Sequence, residues 1–421
     1  MTVRPVPVPA VAATGREIRT ALLHPAVLVG ALGYFVDIYD LILFVVVRVK
    51  SLQGLGYSSD ALVAQGTWLI NVQMAGMLLG GVVWGLLGDR VGRMKVLFGS
   101  IILYSLANIA NGLVHGLDTY ALCRFLAGFG LAGELGGCVT LVSEVLARNV
   151  RGYGTVLISA VGILGAVVAG WVGAWFEWRT AYYVGGGLGL VLLALRIFVH
   201  ESGLFRAMRE GARPAFGSQL RLLLAPARLG RYLCCILIGL PCWYFIGLVI
   251  LFSPEFARAL GATGEVKAPG AVAAGYAGLS IGSLLSGVLS QRWRSRRKVL
   301  LLFMLAMLAL INLFFSLRSP SPSLVYTLLF VTGISVGYWA IFVTVAAEHF
   351  GTNLRATVAT TVPNFSRGAV IPITTLFLWL KTQHVGTLQA GLALGWMVLA
   401  IGLAGWFGLR ETFHDELDYL E

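Results

Sequence analysis

The sequence predicts an all-α membrane protein of twelve transmembrane helices, arranged as two pseudo-symmetric six-helix bundles, and three observations lead there. Of 421 residues, 58% are hydrophobic and only 12% charged, against roughly 25% charged in a soluble domain. Apolar runs recur along the chain, each roughly 20 residues long, the length a helix needs to cross about 30 Å of hydrocarbon. Two inner-loop motifs then return at nearly one offset in the second half. A soluble helical bundle would have to bury every face of every helix. A β-barrel would show alternation, and these runs are continuous.

Taken in order, residues 1–25 form a tail, rich in Pro and Val at its start (Pro5, Pro7, Pro9). The tail lacks the basic start, short apolar core and cleavage site of a signal peptide, so insertion is expected to use the first helix, uncleaved. Residues 26–200 form the first bundle, with spans near 26–47, 66–87, 95–114, 120–146, 154–176 and 181–199. Residues 201–228 form a polar linker carrying Arg206, Arg209, Arg213, Arg221 and Arg228. Residues 229–410 form the second bundle, with spans near 229–252, 270–290, 298–317, 323–347, 356–380 and 387–409. Residues 411–421 form a C-terminal tail.

Lys and Arg gather on the cytoplasmic side of a membrane. With both termini inside, 22 of the 31 basic residues fall on inner segments and seven on outer ones. Arg124 and Arg367 remain within helices. The split supports an even number of spans and both termini in the cytoplasm. The net charge of +12 is then explained by basic loops against anionic lipid, with no nucleic-acid partner. The five cysteines (Cys123, Cys138, Cys234, Cys235, Cys242) all lie in apolar runs without metal-ligand spacing, so neither disulfide nor metal is expected. Short tails and short outer loops favour a bacterial inner membrane, and a monomer is the default.

The repeat is explicit. Gly85-Leu-Leu-Gly-Asp-Arg-Val-Gly-Arg-Met-Lys95 follows the second span, and Gly287-Val-Leu-Ser-Gln-Arg-Trp-Arg-Ser-Arg-Arg-Lys298 follows the eighth, 202 residues later. Glu144 precedes Arg151 by seven residues, and Glu348 precedes Arg355 by seven, at an offset of 204. Glu201-Ser202 and Glu411-Thr412 close the two halves. A parallel repeat of this kind places the site between halves at mid-membrane.

The Gly85–Lys95 stretch resembles the loop signature of the major facilitator superfamily, Gly-x-x-x-Asp-Arg-x-Gly-Arg-[Lys/Arg], with Met94 inserted before Lys95. The second copy is degraded, with Gln291 in place of the acid. Trp178-Arg179 and the two Glu/Arg pairs resemble the sugar-porter-like branch, which includes aromatic-acid:proton and metabolite:proton symporters. The resemblance spans residues 20 to 415. It implies alternating access, with Asp89, Arg90, Arg93, Glu144, Arg151, Glu348 and Arg355 as a conformational latch on the cytoplasmic face. The plain alternative is solvated loop charges.

Ionisable groups at membrane depth are costly and line functional cavities. Asp37 and Asp40 stand three residues apart, on one face of the first helix. Two acids so placed repel, which favours the protonated form of one. Asp37-Ile-Tyr-Asp40 resembles the Asp-Gly-[Tyr/Phe]-Asp signature of aromatic-acid symporters, with Ile38 in place of Gly. The Tyr39-Asp40 step resembles proton-linked sugar porters, whose acid pairs with a fourth-helix arginine, a place matched by Arg124. The resemblance implies that Asp40 exchanges between Arg124 and a proton; a permanent ion pair is the alternative. Glu134 resembles the Gly-Gly-Glu step of metabolite symporters and fits either a proton role or a structural bond.

Arg367 lies in Asn364-Phe-Ser-Arg-Gly-Ala-Val-Ile-Pro372, which loosely resembles the Gly-Arg-x-Gly-Ala-x-x-x-Pro stretch of the aromatic-acid symporters. A buried guanidinium needs an anion, and a carboxylate matches its fork. With Glu348 assigned to Arg355, no acid of the second half is free, so an anionic substrate could supply the charge; a structural pair is the alternative. Tyr34, Asn71, Trp243, Tyr244, Tyr338 and Asn364 are candidate lining residues, and packing is the alternative for each aromatic. The expected function is proton-coupled symport of a small organic anion, with the proton as coupling ion and no other cofactor. Import of a sugar, polyol or zwitterion, or export of a drug or metabolite, remains open. No nucleophile–base set marks an enzyme.

Overall fold

The structure, a computed structural model, describes residues 14–91, 93–134, 146, 148–201 and 218–413. Among these, all regular structure is helical. The first half of the chain holds α1 (Gly15–Leu22), α2 (Pro25–Gly54), α3 (Ser59–Val91), α4 (Arg93–Gly112), α5 (Leu117–Leu131), α6 (Arg148–Trp175) and α7 (Trp178–Glu201). The second holds α8 (Ser218–Leu223), α9 (Pro226–Leu237), α10 (Leu240–Tyr244), a π-helical turn at Phe245–Ile250, α11 (Ser253–Ala259), α12 (Ala268–Trp293) and α13 (Arg296–Ser316). It ends with α14 (Pro322–Val336), α15 (Trp339–Glu348), α16 (Thr352–Gly368), α17 (Val370–Thr382) and α18 (Thr387–Phe407).

Helices are the form these apolar runs must take, because a backbone out of reach of water has to satisfy its N–H and C=O groups internally. Among the described residues, nine helical stretches are long and apolar enough to cross a membrane. Three further expected spans fall short of that measure for visible reasons. Helix α4 carries the buried Ser100, Ser105, Asn108 and Asn111. Helix α5 is 15 residues long, and the described residues stop soon after it, at Glu134. The span expected at 356–380 carries the buried Thr357, Thr360, Thr361, Asn364, Ser366 and Arg367. Large apolar side chains face outward, with Trp175 85% and Phe407 74% exposed. This distribution suits a lipid solvent better than water.

Helices approach to backbone contact at small residues, and this packing repeats between the halves. A Cβ at Gly76 or Gly80 of α3 would overlap the carbonyls of Phe125 and Phe129 on α5. A Cβ at Gly278 or Gly282 of α12, each 202 residues later, would overlap the carbonyls of Phe330 and Ile334 on α14. The internal repeat is therefore a repeat of helix contacts as well as of loop motifs.

Several helices are interrupted part-way along their length. Helices α9 and α10 part at Ile238–Gly239, just before Pro241, whose missing N–H cannot continue the ladder. The carbonyls at this break are taken up by side chains: the Tyr338 hydroxyl donates to Ile238 O (3.0 Å) and the Ser366 hydroxyl to Ile236 O (3.1 Å). Helices α14 and α15 part at Gly337–Tyr338, and α16 and α17 at Ala369. Irregular backbone at membrane depth is tolerated where protein buries it.

Candidate functional site

The site grows from the middle of α2. Tyr34, Asp37 and Asp40 recur every three residues, so one face carries all three. All three are fully buried.

Asp37 meets the second half of the chain. Arg367 Nη2 of α16 donates to Asp37 Oδ2 at 3.4 Å, and both side chains are 0% exposed. The sequence offers no free acid in the second half and leaves a structural pair as the alternative; the structure shows such a pair, with the acid 330 residues away on α2. Arg367 Nη1 also donates to Asn364 Oδ1 at 3.4 Å, and its guanidinium carbon stands 5.7 Å from the centre of the Trp243 ring. Trp243 packs edge-on against Trp339, with ring centres 5.8 Å apart. Trp339 Nε1 donates to the Tyr34 hydroxyl at 2.9 Å.

Hydrogen-bond capacity around this pair is left over. Arg367 Nε, Asp37 Oδ1 and Trp243 Nε1 are buried with no hydrogen-bond partner among the described residues. The same holds for the buried Tyr276 hydroxyl of α12. Buried polar groups are normally satisfied, so unmet donors near an arginine mark a place where an acceptor can bind. Tyr276 escaped sequence reasoning because a lone tyrosine in a Gly- and Ser-rich helix carries no local signal.

The other candidates divide. Asn71 and Asn364 link the halves: the Thr374 hydroxyl donates to Asn71 Oδ1 (2.9 Å), and Asn364 Nδ2 donates to Ala132 O (2.9 Å) and Thr360 O (2.9 Å). Tyr244 and Tyr338 have their hydroxyls committed to backbone, donating to Gly391 O (2.7 Å) and Ile238 O. They support helices rather than present a free polar group.

Asp40 belongs to a second polar cluster, inside the first half. A Cβ at Gly185 of α7 would overlap Asp40 Oδ1, so only glycine leaves room for the carboxylate. Both Asp40 oxygens lack a hydrogen-bond partner among the described residues. Arg124 instead donates to Asn108 Oδ1 (2.9 Å) and Gln73 Oε1 (3.4 Å), and lies over the rings of Tyr182 and Phe44. The expected Asp40–Arg124 bond is thus not formed in this structure; neutral amides hold the arginine. Glu134 is forked by Arg196 of α7, with Nη1 donating to Oε2 at 3.1 Å and Nη2 to Oε1. A Cβ at Gly33 of α2 would overlap both side chains. Arg196, one of the 22 basic residues that the sequence places on inner segments, is 4% exposed.

Of the expected latch, Glu144 and the side chains of Asp89, Arg90, Arg93 and Arg151 lie outside the described residues. Glu348, expected to pair with Arg355, is instead forked by Arg296 (Nη2 at 3.1 Å, Nε at 3.4 Å) and accepts from the Thr412 hydroxyl at 2.7 Å. Arg355 donates to Ala347 O and Phe350 O. Arg355 lies within the first turn of its own helix, where it reaches the carbonyls that end α15, while Arg296 approaches Glu348 from α13. The Glu411 carboxylate accepts from the Ser295 hydroxyl and from the backbone N–H of Arg296 (2.8 Å), Arg297 (3.2 Å) and Phe413 (3.1 Å). Burial pushes this carboxyl up, but those donors outweigh it and hold it below its ordinary value. At the opposite end of α2, Arg48 Nη2 donates to Glu255 Oε1 of α11 at 2.7 Å and joins the halves again.

The family model described as the Major Facilitator Superfamily matches residues 30–369. Over 193 residues the chain is 31% identical to the 3-(3-hydroxy-phenyl)propionate transporter of Escherichia coli (strain K12), covering 44% of each chain. Over 127 residues it is 38% identical to the niacin transporter NiaP of Acinetobacter baylyi, covering 29% of each. Over 134 residues it is 29% identical to the 4-hydroxybenzoate transporter PcaK of the same organism, covering 31% of this chain and 29% of that one. The chain spans less than half the length of each of these relatives.

Proposed function

The chain belongs to the major facilitator superfamily, as an integral membrane transporter and not an enzyme, and we propose that it is a proton-coupled symporter of a small aromatic carboxylate. The observation that carries this reading is the buried Asp37–Arg367 pair, with unmet donors on Arg367, Trp243 and Tyr276 around it. Asp37 neutralises Arg367 while no substrate is bound. A proton on Asp37 removes that counterion, and a substrate carboxylate replaces it on the guanidinium fork. Proton and anion thereby need each other, because either alone leaves a charge uncompensated in a dry interior. The Trp243–Trp339 pair offers ring faces to an aromatic body.

Asp40, one turn from Asp37, holds or passes the coupling proton, with Arg124 as its nearby cation. The relatives named for hydroxyphenylpropionate, niacin and hydroxybenzoate support a ring-bearing acid. In this reading the protein is a monomer of the sugar-porter-like branch, with twelve crossing helices in two six-helix halves. The bundles are residues 26–200 and 229–410, joined by linker 201–228, in a bacterial inner membrane with residues 1–25 and 411–421 in the cytoplasm. The groups near Asp89, Glu144 and Glu348 latch that face.

The test is a binding titration with benzoate and its hydroxylated and pyridine analogues, read by tryptophan fluorescence on the purified protein. Saturable quenching that disappears in Arg367→Ala, with the fold retained, supports the reading. Quenching unchanged in that variant overturns it.

A further inference from the structure

A line of buried hydroxyls runs along the flank of the first half, away from the Asp37–Arg367 pair. The Tyr120 hydroxyl of α5 donates to Ser51 Oγ of α2 at 3.2 Å and shares a hydrogen bond with the Tyr182 hydroxyl of α7 at 2.6 Å. Ser51 Oγ donates in turn to Arg48 O at 3.1 Å. All three side chains are fully buried. Phenylalanine in either tyrosine's place would fill the same space without burying a hydroxyl, so packing alone does not call for this chain.

Its two ends are what give it meaning. At one end, Ser51 lies within one helical turn of the exposed Gln53 and Gly54. At the other, the Tyr182 ring centre stands 5.1 Å from the guanidinium carbon of Arg124. Tyr182 shares a face of α7 with Gly185, three residues on, and Gly185 abuts the Asp40 carboxylate. Arg124 Nε, Asn108 Nδ2 and both Asp40 oxygens are buried with no hydrogen-bond partner among the described residues. Such a set of unmet donors and acceptors is what an internal water needs to extend the line from Tyr182 to Asp40.

We propose that Ser51, Tyr120 and Tyr182 form a proton-access route from the Gly54 end of the bundle to Asp40, separate from the path taken by the anion. Solvent gives a proton to the Ser51 oxygen. Once the hydroxyls turn so that Ser51 donates to Tyr120 and Tyr120 to Tyr182, each passes its own proton inward as it accepts the next, and Tyr182 hands its proton through the internal water to Asp40, so only O–H bonds are made and broken. One proton enters and the Asp40 carboxylate becomes a carboxylic acid. The titratable and charged groups about Asp40 are Asp37 and Tyr39 on its own helix, Tyr104 on α4, Arg124 on α5 and Tyr182 on α7. The inference rests on the reading of Asp40 as the proton's carrier.

The proton itself serves as the probe. The full chain in lipid nanodiscs is taken through a downward pH jump, and the protonated-carboxyl band is followed by time-resolved infrared absorption. The Asp40 contribution is the part of the band missing in Asp40→Asn. The expected result is that Tyr120→Phe and Tyr182→Phe each delay that contribution by about tenfold and leave its equilibrium midpoint in place. Ser51→Ala, the smallest change, should delay it as well. Tyr39→Phe removes a hydroxyl that donates to Ala181 O outside the line, and should leave the rate unchanged. Wild-type rates in all three route variants, with melting temperatures retained, overturn the route while Asp40 keeps its role. A band identical in Asp40→Asn and wild type overturns the role of Asp40, and the route with it.

Discussion

Arg367 and Asp37 are held in a setting where water cannot stand in for either. Removing one partner of such a pair leaves the other buried and uncompensated, a cost of roughly 3–5 kcal/mol, so alanine variants mix folding with binding. Conservative changes separate the two. Arg367→Lys keeps the charge and loses the planar fork; carboxylate affinity should fall about tenfold or more, roughly 1.4 kcal/mol, with a smaller effect on the melting temperature. The pH dependence has a definite sign. A proton on Asp37 frees Arg367, so wild-type affinity for a carboxylate should rise as pH falls and weaken as pH rises. Asp37→Asn leaves Arg367 free at every pH, and its affinity should be flat across the same range in the same fluorescence titration. An unchanged slope in Asp37→Asn would remove Asp37 from the coupling.

Helix ends are fastened by groups distant in the chain. Glu411 accepts from the first backbone N–H groups of α13, donors that no intrahelical carbonyl can take. Its carboxyl is held below the ordinary 4.5, so its contribution to stability is present in full above that value and is lost as pH falls through the depressed one. Glu411→Gln should lower the melting temperature at pH 7, by an amount corresponding to about 1 kcal/mol, and should lose its difference from wild type in acid. Arg48 and Glu255 fasten the opposite end. With the five native cysteines replaced, a cysteine at Ser253 should react faster with an impermeant maleimide once Glu255→Gln opens that closure. These fastenings were not legible in the sequence. The Glu348–Arg355 spacing was local and visible, whereas the carboxylate went to Arg296, 52 residues back, because tertiary approach decides among several arginines at one end. Likewise Arg196 read as an inner-segment cation because it sits near the end of an apolar run, and only Glu134 reveals its depth.

The molecule as a whole was far more legible than its pairings. Continuous apolar runs, the 202-residue repeat and the Gly85–Lys95 signature follow from local composition, and the fold and family rest on them. The same offset governs the glycine contacts of α3 with α5 and of α12 with α14. Asp37, Asp40, Arg124, Glu134 and Arg367 stood out because charge is rare at that depth. Their partners did not, since Asp37 and Arg367 are 330 residues apart and one sequence carries no sign of which buried charges meet. The whole reading turns on whether an anion and a proton cross together. The measurement is substrate-triggered proton entry into liposomes holding the purified protein and an internal pH-sensitive dye, challenged with aromatic and aliphatic carboxylates and with sugars. Internal acidification on adding an aromatic carboxylate, absent with sugars and absent in Asp40→Asn, is the expected result. Uptake of a labelled carboxylate with no proton movement, or acidification that persists in Asp40→Asn, would contradict it.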